Sequence, residues 1–195
     1  MTTVGFKLAR FGIFDPTDET KVTKTFLVDG KNRKGGTVEA DISGLDVEAV
    51  KSYASDGPYY VSKSGVGDVK QTISLLEPEA DLEQALLGRV KGEDGIVRIG
   101  RSTRPPYASC VMEAEDLDGK PVFLVLLKGK YGQDDMKLAT KEDKLPEPEA
   151  TQYTGDFVYN NDGDVMLVAI GEEFREKVYK EAFPGYTETP AVPEG

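Results

Sequence analysis

PVFLVLLKGKY, residues 121–131, sets six apolar side chains in a row, Val122 to Leu127, ahead of two lysines that flank a glycine. A strand with one wet face alternates apolar and polar residues, whereas an unbroken apolar run buries both of its faces. This stretch therefore marks the centre of the fold and raises the question of what covers its second face. Just upstream, YASCVMEAEDLDGK (107–120) alternates in its first half. Asp118-Gly119 then supplies a dipeptide that tolerates the positive φ of tight turns. Residues 107–131 are predicted as a β-hairpin.

Working outward, alternation dominates the N-terminal part. In TVEADI (37–42), Val38, Ala40 and Ile42 oppose Glu39 and Asp41; in VKQTISLL (69–76), Val69, Ile73 and Leu75 oppose Lys70, Thr72 and Ser74. Val4 to Phe14 and Thr25 to Val28 read as further strands, and the glycines of DGKNRKGG (29–36) suit a hairpin or a longer loop. Tyr153 to Ile170 repeats the hairpin design about Asp162-Gly163. Pro78 and Gly88 bracket EADLEQALL (79–87), predicting a helix of nearly three turns, and EEFREKVYKEAF (172–183) predicts a second, with Phe174, Val178, Tyr179, Ala182 and Phe183 on its apolar face. Within the long excursion at 44–67, GLDVEAVKSYASDG reads as a turn or two of helix and PYYVSKSGVG as a short hairpin. KEDKLPEPEAT (141–151) reads as an extended connector. The fold class is mainly β (α+β), a sandwich or barrel-like domain over residues 1–183, with a flexible tail at 184–195.

Composition excludes several functions. With 24 basic against 35 acidic residues and a net charge of −11, the chain is unsuited to gripping nucleic acid by phosphate neutralisation. The longest apolar run is far too short for a membrane helix, and the N-terminus lacks the apolar stretch of a signal peptide, so a cytoplasmic site of synthesis and assembly is expected. Histidine is absent and Cys110 is the lone cysteine, which leaves no disulfide, no cysteine-based zinc site and no imidazole base.

The remaining constellations favour plain readings. GIVRIGRS (95–102) has the glycine spacing of a phosphate loop but is β-branched and runs into TRPPY, so it reads as a short strand. NNDGD (160–164) and EDLDG (115–119) fall where turns belong and lack an EF-hand's closing glutamate. Glu113 and Glu115 share one strand face; without a sugar cleft between them they read as a solvated face rather than a hydrolytic pair. Cys110 alternates with Met112 and Ala114 and reads as a core thiol. The basic cluster Lys31, Arg33 and Lys34 reads as a solvated loop tip, or as a patch that meets a carboxylate-rich neighbour.

LLG (86–88), RPPYASCVMEAEDLDGKPVFLVLLKGKYGQDDMKLAT (104–140) and LPEPEATQYTGDFV (145–158), together with MTTVGFKLARFGIFD (1–15) and VEADISGLDVEAVKSYASDGPYY (38–60), resemble the major tail protein (tail tube) family of long-tailed bacteriophages. The resemblance spans residues 4–170. It implies a non-enzymatic, cofactor-free virion subunit that closes six to a ring, with rings stacking into a tube. Its implied partners are its own copies, the tape-measure protein, the tail terminator and the distal tail or baseplate proteins. It also implies that DNA passes through the lumen without specific binding.

In that setting a neighbouring subunit is expected to cover the second face of Val122 to Leu127. Glu39, Asp41, Glu113 and Glu115 are the expected lumen-facing residues. Leu45, Val47, Tyr53, Tyr59 and Tyr60, with Lys31, Arg33 and Lys34, are the expected contacts between subunits or rings. The alternatives are a carbohydrate- or receptor-binding β-sandwich, which the absence of tryptophan weakens, and a carboxylate enzyme.

Overall fold

The computed structural model of the chain describes residues 2–32, 34–138, 140 and 148–186. In chain order the strands are β1 (Val4–Phe14), β2 (Val22–Val28), β3 (Gly36–Ser43), β4 (Val50–Ala54), β5 (Gly57–Ser62), β6 (Lys70–Leu76), β7 (Val90–Lys91), β8 (Val97–Arg98), β9 (Ala108–Glu115), β10 (Pro121–Gly132), β11 (Thr151–Phe157) and β12 (Met166–Ile170). Helix α1 (Ala80–Leu87) lies between β6 and β7, and α2 (Arg175–Ala182) follows β12 through a 3₁₀ turn, Glu172–Phe174. The protein is mainly β.

β10 is the hub. One of its edges carries β9 antiparallel, with Val125 opposite Val111, and Gly119 takes φ 78° in the turn between them. Its other edge is shared end to end: β12 lies along Val122–Leu126 and β11 along Gly129–Gly132. The handover coincides with a bulge in β10, where the register against β9 shifts between Leu126 and Gly129. β11 and β12 therefore do not form the hairpin that Asp162-Gly163 suggests. They are two pieces of one line along β10, and residues 158–165 loop out between them, closed by the Asn160 amide donating to the Asp164 carbonyl at 2.8 Å.

The large sheet runs β2-β1-β9-β10-β11-β6-β3 and is antiparallel throughout. It curls until β3 meets the N-terminal half of β1, where the Thr37 hydroxyl donates to the Phe6 carbonyl at 2.7 Å. The result is a nearly closed barrel. DGKNRKGG is thus a longer loop that carries the chain from the partner of β1 to the partner of β6. Inside pack Phe11, Ile73, Leu75, Met112, Leu126 and Tyr131, joined by Leu82, Leu86 and Leu87 of α1. Tyr131 stands edge-on to Phe11 and to Phe157, with ring centroids 5.7 Å apart in each pair. α1 stops after eight residues because Gly88 adopts the left-handed conformation, φ 62°, and returns its amide to the Gln84 carbonyl.

The second face of β10 is covered from within the chain. Phe123, Val125 and Leu127 point away from the barrel interior and pack with Val111 against Val178, Tyr179, Ala182 and Phe183. This corrects the expectation that a neighbouring subunit covers it. Gly12 on β1 allows the close approach: a Cβ there would collide with the Phe183 ring and the Ser109 hydroxyl. Ser109 in turn donates to the Ala182 carbonyl at 2.7 Å. Phe174 sits in the 3₁₀ turn rather than on α2 and stays exposed, unlike the other apolar residues assigned to that helix.

Two further local readings change. Residues 44–57 form no helix; β4 and β5 pair in a hairpin whose tip residues, Ser55 and Asp56, both take positive φ (51° and 62°). That geometry matches strand twist in a two-residue turn, and cross-strand pairing overrides the helical propensity of EAVKSYA. In β3 the register shifts between Thr37 and Glu39, which turns Val38 out to 49% exposure instead of toward the core. The connector at 141–147 lies outside the described residues. So does the tail beyond Tyr186, although Pro184 at its start accepts a 2.8 Å bond from the Val22 amide.

Replacing a fully buried Phe with Ala costs about 3–5 kcal/mol, while exposed surface changes stay within about 0.5 kcal/mol. Phe123→Ala should therefore destabilise the dilute protein by the larger amount in urea titrations, and Val168→Ala on β12 by the smaller. A neutral Phe123→Ala in the isolated chain would mean that α2 does not seal this face.

The barrel interior also holds a buried polar pair, Gln71 and Tyr131. Gln71 is fully buried, places Nε2 3.0 Å from the Met112 sulfur and accepts the Tyr131 hydroxyl on Oε1. Burial pushes the neighbouring Cys110 thiol up to about 12 and raises the Tyr131 and Tyr153 phenols as well. In the unfolded chain cysteine ionises near about 8.5 and tyrosine near about 10. The folded state thus holds these protons to higher pH, so their contribution is complete below about pH 8.5 and is lost as pH rises. The urea midpoint should be level from about pH 7 to 8 and fall above about pH 9, and Cys110→Ala should delay the fall to about pH 10.

Candidate functional site

Glu113 and Glu115 point to the same side of β9, as alternation requires, but only one of them meets solvent. Glu113 is 3% exposed beneath α2. It accepts a 2.6 Å bond from Arg175 Nη1 and a second from the Tyr179 hydroxyl. Arg175 reaches Glu172 as well, Nη2 to Oε2 at 3.0 Å, and its guanidinium lies 4.9 Å from the Phe123 ring centroid. Arg10 covers the other side of the cluster, 5.5 Å from the Tyr179 ring. Burial, followed by the Glu113 charge, raises the Tyr179 pKa. Burial alone would weaken the Arg175 charge, but its bonds to Glu172 and Glu113 outweigh that and push its pKa up.

Losing either partner would leave a buried charge uncompensated, so this cluster fixes where α2 docks. Glu113 is therefore a positioning residue of the fold, which corrects its assignment to an exposed lining. Glu115 lies at the rim, paired with Lys7 and partly exposed.

The outward face of β3, β6 and β11 has a different character. Register places Glu39, Ser74 and Gln152 in one row, Asp41, Thr72 and Thr154 in the next, and Ser43, Lys70 and Asp156 in the third. Every one of these nine side chains is polar, and none is buried. Lys70 and Asp156 lie 3.4 Å apart, and no cation stands opposite Glu39 or Asp41 in their own rows. Gln71, Ile73, Leu75 and Tyr153 alternate with these residues and fill the barrel beneath. The face is thus built by strict period-two alternation over a packed interior.

Sheet edges and projecting hairpins complete the exposed features. Among the described residues β3 ladders only with β6, β2 only with β1, and β12 only with β10, so each has an edge without a ladder partner, that of β3 being met by β1 at Thr37 through a side-chain bond alone. The hairpin β4–β5 forms its own two-stranded sheet and exposes Tyr53, Tyr59 and Tyr60, with Tyr59 at 81%. Leu45 is exposed and Val47 half-buried at its base, where Lys63 pairs with Asp46. Lys31 and Lys34 are exposed in the loop after β2, and Arg33 falls outside the described residues.

A second projection is not evident from the strand pattern alone: β7 and β8 pair across Asp94-Gly95, with Gly95 at φ 79°, and expose Val90, Ile96 and Ile99. The Asp-Gly dipeptide between VK and IVR is the signal that marks it. Among the described residues no group of three or more acidic or cysteine side chains is placed to hold a metal ion. No described helix is long and apolar enough to cross a membrane.

No curated protein matches the chain. The family model described as phage tail tube protein matches residues 1–191, nearly the whole sequence. The barrel capped by a helix, with unladdered sheet edges and projecting hairpins, is thus the structure of a chain that belongs to the phage tail tube protein family, a structural protein of the phage tail.

Proposed function

We propose that this chain is the repeating subunit of the tube itself. Copies close side by side into rings of six, the rings stack, and the polar face of β3, β6 and β11 turns inward to line the conduit for the genome. The observation that carries this reading is the asymmetry of the barrel's outer surface. One side is apolar and sealed by α2, and the other is an uncovered, wholly polar sheet whose outermost strand, β3, has an unladdered edge. A free edge that meets a different edge on the next copy makes a heterologous contact, and such contacts close into rings when the rotation permits.

The charge supports the same reading. A conduit lined with Lys and Arg would hold DNA through many phosphate contacts, whereas Glu39 and Asp41 repel it. Glu115, at the rim of the other face, is assigned to the subunit surface rather than the lining. Residues 1–183 act as the assembling unit and 184–195 as an appended tail. Further partners in the virion are the tape-measure protein held in the lumen, and the terminator and distal tail proteins at the two ends. Assembly takes place in the host cytoplasm.

Light scattering at rising concentration, with electron micrographs of the products, tests the proposal: rings or tubes of constant width are expected. The lining has its own test. Glu39→Lys combined with Asp41→Lys should leave assembly intact but make the tubes retain short duplex DNA, with retention that falls steeply as salt rises. Retention equal to that of the unaltered protein would move the lining to another face.

A further inference from the structure

The two projecting hairpins differ in chemistry in a complementary way. Residues 50–62 hold three tyrosines and no arginine; residues 89–104 hold four arginines and no aromatic residue. Both leave apolar side chains in water, Val50 and Tyr59 on the first and Val90 and Ile99 on the second. A two-stranded hairpin standing alone is marginal in water, so each gains by packing against something. Among the described residues no hydrogen bond, ion pair or ring contact joins the two hairpins within the subunit.

Among the described residues Arg101 is the arginine of its hairpin whose side chain makes no ion pair or hydrogen bond. It sits at the corner of a turn closed by the Thr103 amide donating to the Gly100 carbonyl at 2.9 Å, is exposed, and has no ionic partner among the described residues of this acidic chain. Its neighbours are engaged: Arg98 with Asp94, Arg89 with Glu83, and Arg104 with the carbonyls of Arg101 and Thr103. Elsewhere the chain repeatedly sets cations over tyrosine rings. Arg10 lies over Tyr179, and Lys128 and Lys130 each lie 4.5 Å from the centroid of Tyr107.

We infer that the β7–β8 hairpin of one subunit docks on the β4–β5 hairpin of a second copy, with Arg101 laid on the exposed ring of Tyr59 and Ile99 and Val90 packed beside it. The contact is heterologous, each copy offering one hairpin and receiving the other, so it propagates from subunit to subunit. It also covers the exposed apolar side chains of both hairpins at once. The inference rests on the self-assembly reading above and specifies where that assembly is joined.

Cysteine pairing tests it without touching the proposed contact residues. Ser52→Cys and Ser102→Cys are placed in separate copies, and the mixture is assembled, treated with a short bis-maleimide and compared with the unaltered protein, whose Cys110 is buried. A covalent dimer in the mixture, and a ladder of multimers when both changes share one chain, are expected. Arg101→Ser and Tyr59→Ser should each raise the concentration needed for assembly by roughly threefold or more, the worth of one cation–π contact, while Tyr59→Phe should retain assembly. Rings or tubes that form without any cross-link between positions 52 and 102, or links confined to single dilute chains, would overturn the hairpin contact and leave the tube reading standing. Failure of the unaltered protein to form rings or tubes would overturn both.

Discussion

Burial of β10 on both faces is the constraint on which the rest of the structure depends. Val122 to Leu127 can be soluble only if two separate layers cover them, and the chain supplies both: the barrel interior on one side and α2 on the other. Fully burying side chains such as Phe123, Val125 and Leu127 contributes about 1.5–3 kcal/mol each, enough to hold a helix of only two turns that would not persist alone. The helix must also arrive in one place. Glu113, Arg175 and Tyr179 provide that selectivity, since a docking shifted by one turn would strand a buried carboxylate. Gly12 and Ser109 then let the end of the helix settle directly on the sheet.

Because the central strand is satisfied within the subunit, association is left to the periphery. The surfaces available are the polar face of β3, β6 and β11, the unladdered edges of β2, β3 and β12, and the hairpins at 50–62 and 89–104. None of them carries the core, so subunits can form and break contacts there without unfolding. That separation suits the proposed use of the protein as the repeating subunit of a polymer. The polar face can be acidic at little cost to stability because its carboxylates are solvated, whereas Glu113, one strand system away, requires two donors to be tolerated.

Much of this architecture was legible in the residues. Alternation with an Asp-Gly turn located β9 and β10, period-two burial located β6, and spacing by four with a proline or glycine stop located α1 and α2. What local pattern could not carry was the identity of distant partners. Alternation shows that Glu113 and Glu115 share a face but not that a helix from the end of the chain lies over one of them. An Asp-Gly signal is the same for a hairpin as for the loop that interrupts β11 and β12 along a single partner strand. EAVKSYA has helical composition, and only its pairing with β5 makes it a strand. Val38 fits the core face of β3 by count, and a bulge removes it.

Hydrogen exchange on the free and the assembled protein tests the account most directly. In the dilute subunit the amides of Val122 to Leu127 should exchange only through global unfolding, while those of the two hairpins exchange fast and become protected on assembly. Fast exchange along β10 in the free subunit, with protection gained only in the tube, would mean that a neighbour and not α2 supplies the second face, and would contradict the account.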